Sequence, residues 1–276
     1  MTFGPLVTAD WLAEHLEDED LAVIDVRWSV ADGPKRADYE AGHIPGARFA
    51  DLDVDLSSSP SPETGRHPLP APIAFAEAIG RLGVGDITKV VVYDDAGGMI
   101  AARLWWMLDI IGRDVAVLDG GIDAWTGTLS TAKVAPSAAT FTPRPWPVDH
   151  RIAIDALESV LGPDTVVLDA RSPDRYAHGA EIDPRPGHVP GALSAPATDN
   201  LDGDGRWKSP RRLRLHYEEI GADGDNVIAY CGSGVTACAD LLGRRLADLP
   251  PARLYVGSWS QWGSDPDRPA TEGPRP

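Results

Sequence analysis

The residues best suited to chemistry are Cys231-Gly232-Ser233-Gly234-Val235-Thr236-Ala237-Cys238, directly after the apolar run Val227–Tyr230. A thiol there follows a buried strand and precedes a helix, whose unpaired backbone N–H groups point back towards it and favour a thiolate. Gly232 and Gly234 let the chain curl so that successive N–H groups, on through Val235 and Thr236, converge into an anion-binding nest. Several chemistries could use such a thiolate. A protein phosphatase needs an arginine six residues after the cysteine, and position 237 is alanine. A thiol protease needs an activating histidine with its own orienting partner, and the seven histidines are scattered, none of them in the loop. A redox pair would read Cys-x-x-Cys, whereas Cys238 falls two helical turns further on and is expected to point into the helix packing. Sulfur transfer remains, with the thiolate taking up a sulfur atom and holding it as a persulfide.

The elements that position this loop occur twice. Ala22–Asp25, Gly42-His43-Ile44-Pro45-Gly46-Ala47, Val90–Tyr93 and, after Leu118, Gly120–Trp125 are answered by Val166–Asp169, Gly187-His188-Val189-Pro190-Gly191-Ala192, Val227–Tyr230 and, after Leu254, Gly257–Trp262, at offsets of 144, 145, 137 and 137 residues. A nearly constant offset means two copies of one unit. In each copy Val- and Ile-rich runs alternate with helical patterns, Ile100–Ile111 and Val235–Leu246 after the central runs, Leu213–Ile220 further on. Thr8 is expected to cap Ala9–Leu16, and Asp155 to cap Ala156–Leu161. The pattern predicts an α/β fold, a mostly parallel sheet covered by helices, with the site at the carboxyl ends of the strands. The expected domains are residues 1–127 and 151–276, joined by a Pro-rich extended linker at 128–150. A second Pro-rich run, 265–276, reads as a tail on the surface.

The repeat is also a control. Where the second copy has Cys231 the first has Asp94, which cannot be a sulfur nucleophile, so the first copy should be inert. Features common to both copies, Asp25 and Asp169, His43 and His188, the turns at Gly120 and Gly257, Trp125 and Trp262, read as fold rather than chemistry.

Composition narrows the partners. With 42 acidic residues against 25 Lys and Arg, the net charge of −17 repels a phosphate backbone and an anionic lipid surface, so nucleic acid and membrane are excluded as partners. Residues 1–14 carry no Lys or Arg and no long apolar core, which argues against a secretory signal. Two cysteines cannot form a disulfide framework, and the chain is expected in a reducing compartment, the cytoplasm.

The duplicated Gly-His-Ile/Val-Pro-Gly-Ala blocks, the Cys231 loop and the Gly257…Trp262 ending resemble tandem-domain rhodanese sulfurtransferases, and the Cys-Gly-Ser-Gly-Val-Thr-Ala loop is similar to that of the 3-mercaptopyruvate branch. The resemblance implies two rhodanese-like domains, each a five-stranded parallel sheet flanked by helices, with only the second catalytic and no metal or organic cofactor. It implies 3-mercaptopyruvate as the donor and a thiol acceptor, such as a thioredoxin-like dithiol protein, or cyanide. Thiosulfate as donor, or a non-catalytic persulfide carrier, are the alternatives. Gly232 and Ser233 put no charge in the loop, so only backbone dipoles are expected to meet the donor, which suits a monoanion better than dianionic thiosulfate. The same resemblance implies that Ser233 helps activate the nucleophile, together with Asp53 (with Asp51 as its neighbour) and His67. The Ser57–Pro62 stretch before His67 departs from the family's spacing. Arg175 and Arg185 stand where the family clamps the keto acid, at a spacing one residue longer, with Arg171 as third choice. Arg211, Arg212 and Arg214 read as a solvated helix face.

Overall fold

The computed structural model describes residues 3–276; Met1 and Thr2, which open the first expected domain, lie outside the described residues. The chain separates into two compact units. One comprises Met1–Ser58, Leu69–Trp146 and Gly203–Trp207, the other Ser59–Pro68, Pro147–Asp202 and Lys208–Pro276. Each unit contains a five-stranded sheet in which every neighbouring pair is parallel. In the first the order is Leu6–Val7, Val115–Leu118, Lys89–Tyr93, Leu21–Asp25, Arg48–Phe49. In the second it is Arg151–Ile152, Arg253–Tyr255, Val227–Tyr230, Val166–Asp169, Leu193–Ser194. The order is the same in both, and the central strand is the continuous apolar run that ends in Asp94 or Cys231. Such a strand, covered by helices on both faces, has no solvated side and therefore no alternation of polar residues; Val90–Tyr93 and Val227–Tyr230 are buried throughout. A short antiparallel pair, Trp28–Ser29 with Gly33–Pro34, is added to the first unit.

The loops ending these strands lead into helices Ala101–Asp109 and Ala237–Leu246. Both start slightly later than the apolar patterns suggest, because the first residues of each pattern form the curled turn. Thr8 caps Ala9–His15, its hydroxyl accepting from Trp11 N at 3.2 Å. Asp155 is not a cap: the helix begins at Ile154, placing Asp155 in the first turn, where it pairs with Arg268 at 2.8 Å. The Pro-rich run from 128 to 146 is extended but tied to the first unit. Ser130 exchanges backbone bonds with His43 (3.0 and 2.8 Å), Ala139 N donates to Gly80 O, and Trp146 Nε1 donates to Pro70 O. The C-terminal run does the same in its own unit, where Thr271 exchanges bonds with His188 at 2.9 and 3.0 Å.

The duplicated residues form duplicated buttresses. Tyr93 Oη accepts from Ile44 N and Tyr230 Oη from Val189 N. His43 stacks on Tyr39 and His188 on Tyr176. Asp25 holds Arg27, which also donates to Gly42 O; Asp169 holds Arg171, which also donates to Gly187 O. Every member of these sets is buried and partnered within its unit, as buried polar groups must be. Arg171, the third-choice substrate arginine, is thus accounted for by the fold.

Candidate active site

Cys231 sits 2% exposed at the carboxyl end of the central strand of the second unit. Its backbone is fixed on both sides: N donates to Ser258 Oγ at 3.2 Å and O accepts from Trp259 N at 3.0 Å. The N–H of Gly234 donates to Sγ at 3.1 Å, closing the curl around the sulfur. Gly234 has φ +78°, and a Cβ there would run into the Val256 carbonyl, so only glycine suits the turn. Val235 and Thr236 carry the chain from this turn into the helix, their carbonyls accepting from Cys238 N and Ala239 N. Cys238 is fully buried in that helix, and its thiol donates to Gly234 O at 3.5 Å.

What the curled loop holds is visible in the first unit. There Asp94, 137 positions before Cys231, accepts N–H bonds from Ala96, Gly98, Ile100 and Ala101 at 2.6–2.8 Å. Burial pushes its carboxyl up, and the four N–H groups, led by that of Ala101, hold it down. The first unit thus fills its nest with the Asp94 carboxyl, which burial, the largest effect, raises on balance. Asp94→Ala should therefore lower stability by at least about 3 kcal/mol, since it leaves several buried N–H groups unmet. Added formate should recover part of the loss by refilling the nest. Thermal melts with and without formate check this; a loss under about 1 kcal/mol would contradict it.

Ser233 and His67 come together. His67 Nδ1 lies 2.8 Å from Ser233 Oγ, and both side chains are buried. His67 belongs to Ser59–Pro68, a segment of the second unit although it falls in the first half of the sequence. The segment is pinned at Gly65, where a Cβ would stand 2.5 Å from the Gly257 carbonyl, and Arg66 N donates to Ser260 Oγ at 2.9 Å. Asp53 belongs to the first unit, where it accepts from Trp28 Nε1 at 3.1 Å. Burial, followed by neighbouring Asp51, raises its carboxyl.

Two arginines border the loop, and one is not the residue expected. A Cβ on Gly232 would overlap Arg175 Nη2 and stand 3.1 Å from Arg66 Nη2. Arg175 is held by Asp183 through two bonds, Nε to Oδ2 at 2.8 Å and Nη2 to Oδ1 at 2.6 Å, a bidentate pair that fixes the guanidinium plane. Arg66 Nη1 donates to Ile182 O at 3.1 Å, and among the described residues it has no carboxylate partner. Burial, then Arg175, holds the Arg66 guanidinium below the usual arginine range, while Cys231 and Asp183 draw it up. Arg185 is engaged away from that pair: its Nη2 donates to the carbonyls of Asp265 (3.2 Å) and Arg268 (2.7 Å), and its guanidinium lies over Trp259, so it fastens the C-terminal segment. Gly232 and Ser233 themselves carry no charge, and Arg66 joins the expected Arg175 beside them.

Asp183 and Ser258 escaped the sequence reading. Ser258 was within reach: by the 137-residue offset it matches Gly121. Both have positive φ, +52° and +61°, a conformation that strains a serine and not a glycine. The second unit accepts that strain, and the Ser258 hydroxyl bonds the N–H of Cys231 and the carbonyl of Tyr255.

Together these features define a duplicated α/β protein with one loop thiol, set among an N–H nest, a Ser–His pair and two guanidinium groups. A model for the rhodanese-like domain matches residues 8–128 and 154–265, and the chain belongs to the rhodanese family. The chain is 42% identical to a probable 3-mercaptopyruvate sulfurtransferase of Pseudomonas aeruginosa, over 99% of this chain and all of that one. It is 36% identical to a putative thiosulfate sulfurtransferase of Mycobacterium tuberculosis, over 97% of each. The crystal structure of a 3-mercaptopyruvate sulfurtransferase from Escherichia coli superposes with a TM-score of 0.82 at 35% identity, covering 92% of this chain and 98% of that one.

Proposed function

We propose that the protein transfers sulfur from 3-mercaptopyruvate through a persulfide on Cys231. The thiolate attacks the donor sulfur, the sulfur–carbon bond breaks, and its electron pair leaves on carbon as the enolate, which takes a proton to become pyruvate. The former thiol sulfur stays on Cys231 as Cys–S–SH. A thiol acceptor then attacks the outer sulfur and regenerates the thiolate, a ping-pong cycle. A dithiol protein of the thioredoxin type fits this second step, because its other thiol can release the sulfur as sulfide while the acceptor closes to a disulfide. Ser233, bonded to His67, is the group we assign to proton movement. Such chemistry belongs in a reducing compartment, the cytoplasm.

The observation that carries the donor choice is charge. Arg171, Arg175 and Arg66 stand beside two buried aspartates, Asp169 and Asp183, leaving one positive charge that the Cys231 thiolate offsets. With no surplus left, a monoanionic donor is favoured over a dianion. Arg66 and Arg175 also offer an anion two guanidinium groups, which keeps thiosulfate as the second reading. The ratio of kcat/KM for the two donors, measured with cyanide as common acceptor, should favour 3-mercaptopyruvate by at least about tenfold, the equivalent of ~1.4 kcal/mol. A ratio in favour of thiosulfate would replace the donor and leave the Cys231 chemistry in place.

A further inference from the structure

The first unit carries a second concentration of positive charge. A cavity of about 370 Å³ is lined there by Arg36, Arg48, Arg81, Lys133 and His43, with one carboxylate, Glu40, on its wall. In a chain of net charge −17, four permanent cations around one small cavity invert the local field. Of these four cations only Arg81 has an ion pair among the described residues, with Asp55 at 3.2 Å, and that pair is largely open to solvent on the arginine side. Arg36 lies over the Phe49 ring at 4.6 Å. Arg48 is the anomaly: its Nε and Nη1 are buried without a hydrogen-bond partner, and burial holds its guanidinium below the usual arginine range. His43, 1% exposed, donates from Nδ1 to Tyr39 O at 2.8 Å, so its buried Nε2 is an acceptor and adds no donor for an anion.

A guanidinium stays protonated when buried, so an unmet one calls for an acceptor. Its planar fork matches the oxygens of phosphate or sulfate. We propose that this cavity binds a compact, multiply charged oxyanion, a phosphate or sulfate group free or carried on a small ester, with the half-buried Arg48 as the anchor and Arg36, Arg81 and Lys133 as the rim. Glu40 and the small volume disfavour a long polyanion.

Titration calorimetry with pyrophosphate, inorganic phosphate and phenyl phosphate tests this on the full chain. The Arg175→Ala variant is run in parallel, so that anion binding beside Cys231 is told apart. Saturable binding of at least one probe that survives Arg175→Ala is expected. Arg48→Met should weaken it at least tenfold. Arg36→Glu combined with Lys133→Glu, both exposed, should do the same without lowering Tm, which keeps the test valid if Arg48→Met fails to fold. Tighter binding of phenyl phosphate than of inorganic phosphate would assign an ester as the ligand, and the reverse a free anion. Absence of saturable binding at low millimolar concentration, binding lost in Arg175→Ala, or binding indifferent to the Arg36/Lys133 reversal would each overturn the proposal.

Discussion

Cys231→Ser is expected to abolish turnover with every donor, a loss on the order of a thousandfold or more, as removal of a nucleophile commonly costs. The reason is chemical rather than steric. Serine fits the same turn, and its hydroxyl can accept the Gly234 N–H that now reaches Sγ at 3.1 Å, but an alcohol cannot carry a second sulfur as a persulfide. Cys238→Ser should keep most of the activity. The Cys238 thiol donates to the carbonyl four residues before it, a bond that a serine hydroxyl reproduces within the helix. Steady-state rates of pyruvate release from both variants check the pair. Equal losses would make Cys238 a partner in the chemistry.

The second large effect is expected at the guanidinium groups. Arg175→Ala removes the bidentate partner of buried Asp183 and leaves it with Arg171 at 3.6 Å. Truncating one member of such a pair costs about 2–5 kcal/mol, or roughly 30- to several thousandfold in kcat/KM. Arg66→Ala removes a cation without a carboxylate partner, so it strands no buried charge. Its loss of about 1.5 kcal/mol, a little over tenfold, should fall mainly on KM for 3-mercaptopyruvate. Arg185→Ala should leave KM near that of the parent protein and show its effect in Tm, because Arg185 holds the carbonyls of Asp265 and Arg268. An Arg185 variant with raised KM and normal stability would return that residue to the site.

The pattern of hits and misses has a physical cause. The Cys231 loop, the duplicated sheets and the paired Asp25/Asp169 and His43/His188 are local: strand, turn and helix are contiguous, and each repeat shows the same residues at offsets of 137 to 145. Local patterns of this kind survive in the sequence. Arg66 does not, because its place is set by Ser59–Pro68, an irregular stretch without periodicity that joins a unit whose other residues begin at Pro147. Arg185 misleads for the complementary reason. A charge near an anion site looks functional, and only three dimensions reveal backbone carbonyls 80 and 83 positions later as its partners. The pairing of His67 with Ser233 spans 166 residues and came from resemblance alone. Asp155 shows the limit of cap rules: Ala153, with extended backbone, begins the helix two residues before the acidic side chain.

The central claim, that Cys231 carries the transferred sulfur, is tested most directly by intact-protein mass spectrometry after brief exposure to 3-mercaptopyruvate without acceptor, with pyruvate measured in the same sample. The account predicts one added sulfur atom per chain, located on the peptide containing Cys231, one equivalent of pyruvate, and loss of the added mass when cyanide or a dithiol is supplied. Pyruvate release with no sulfur on Cys231, or the added sulfur on Cys238, would contradict it.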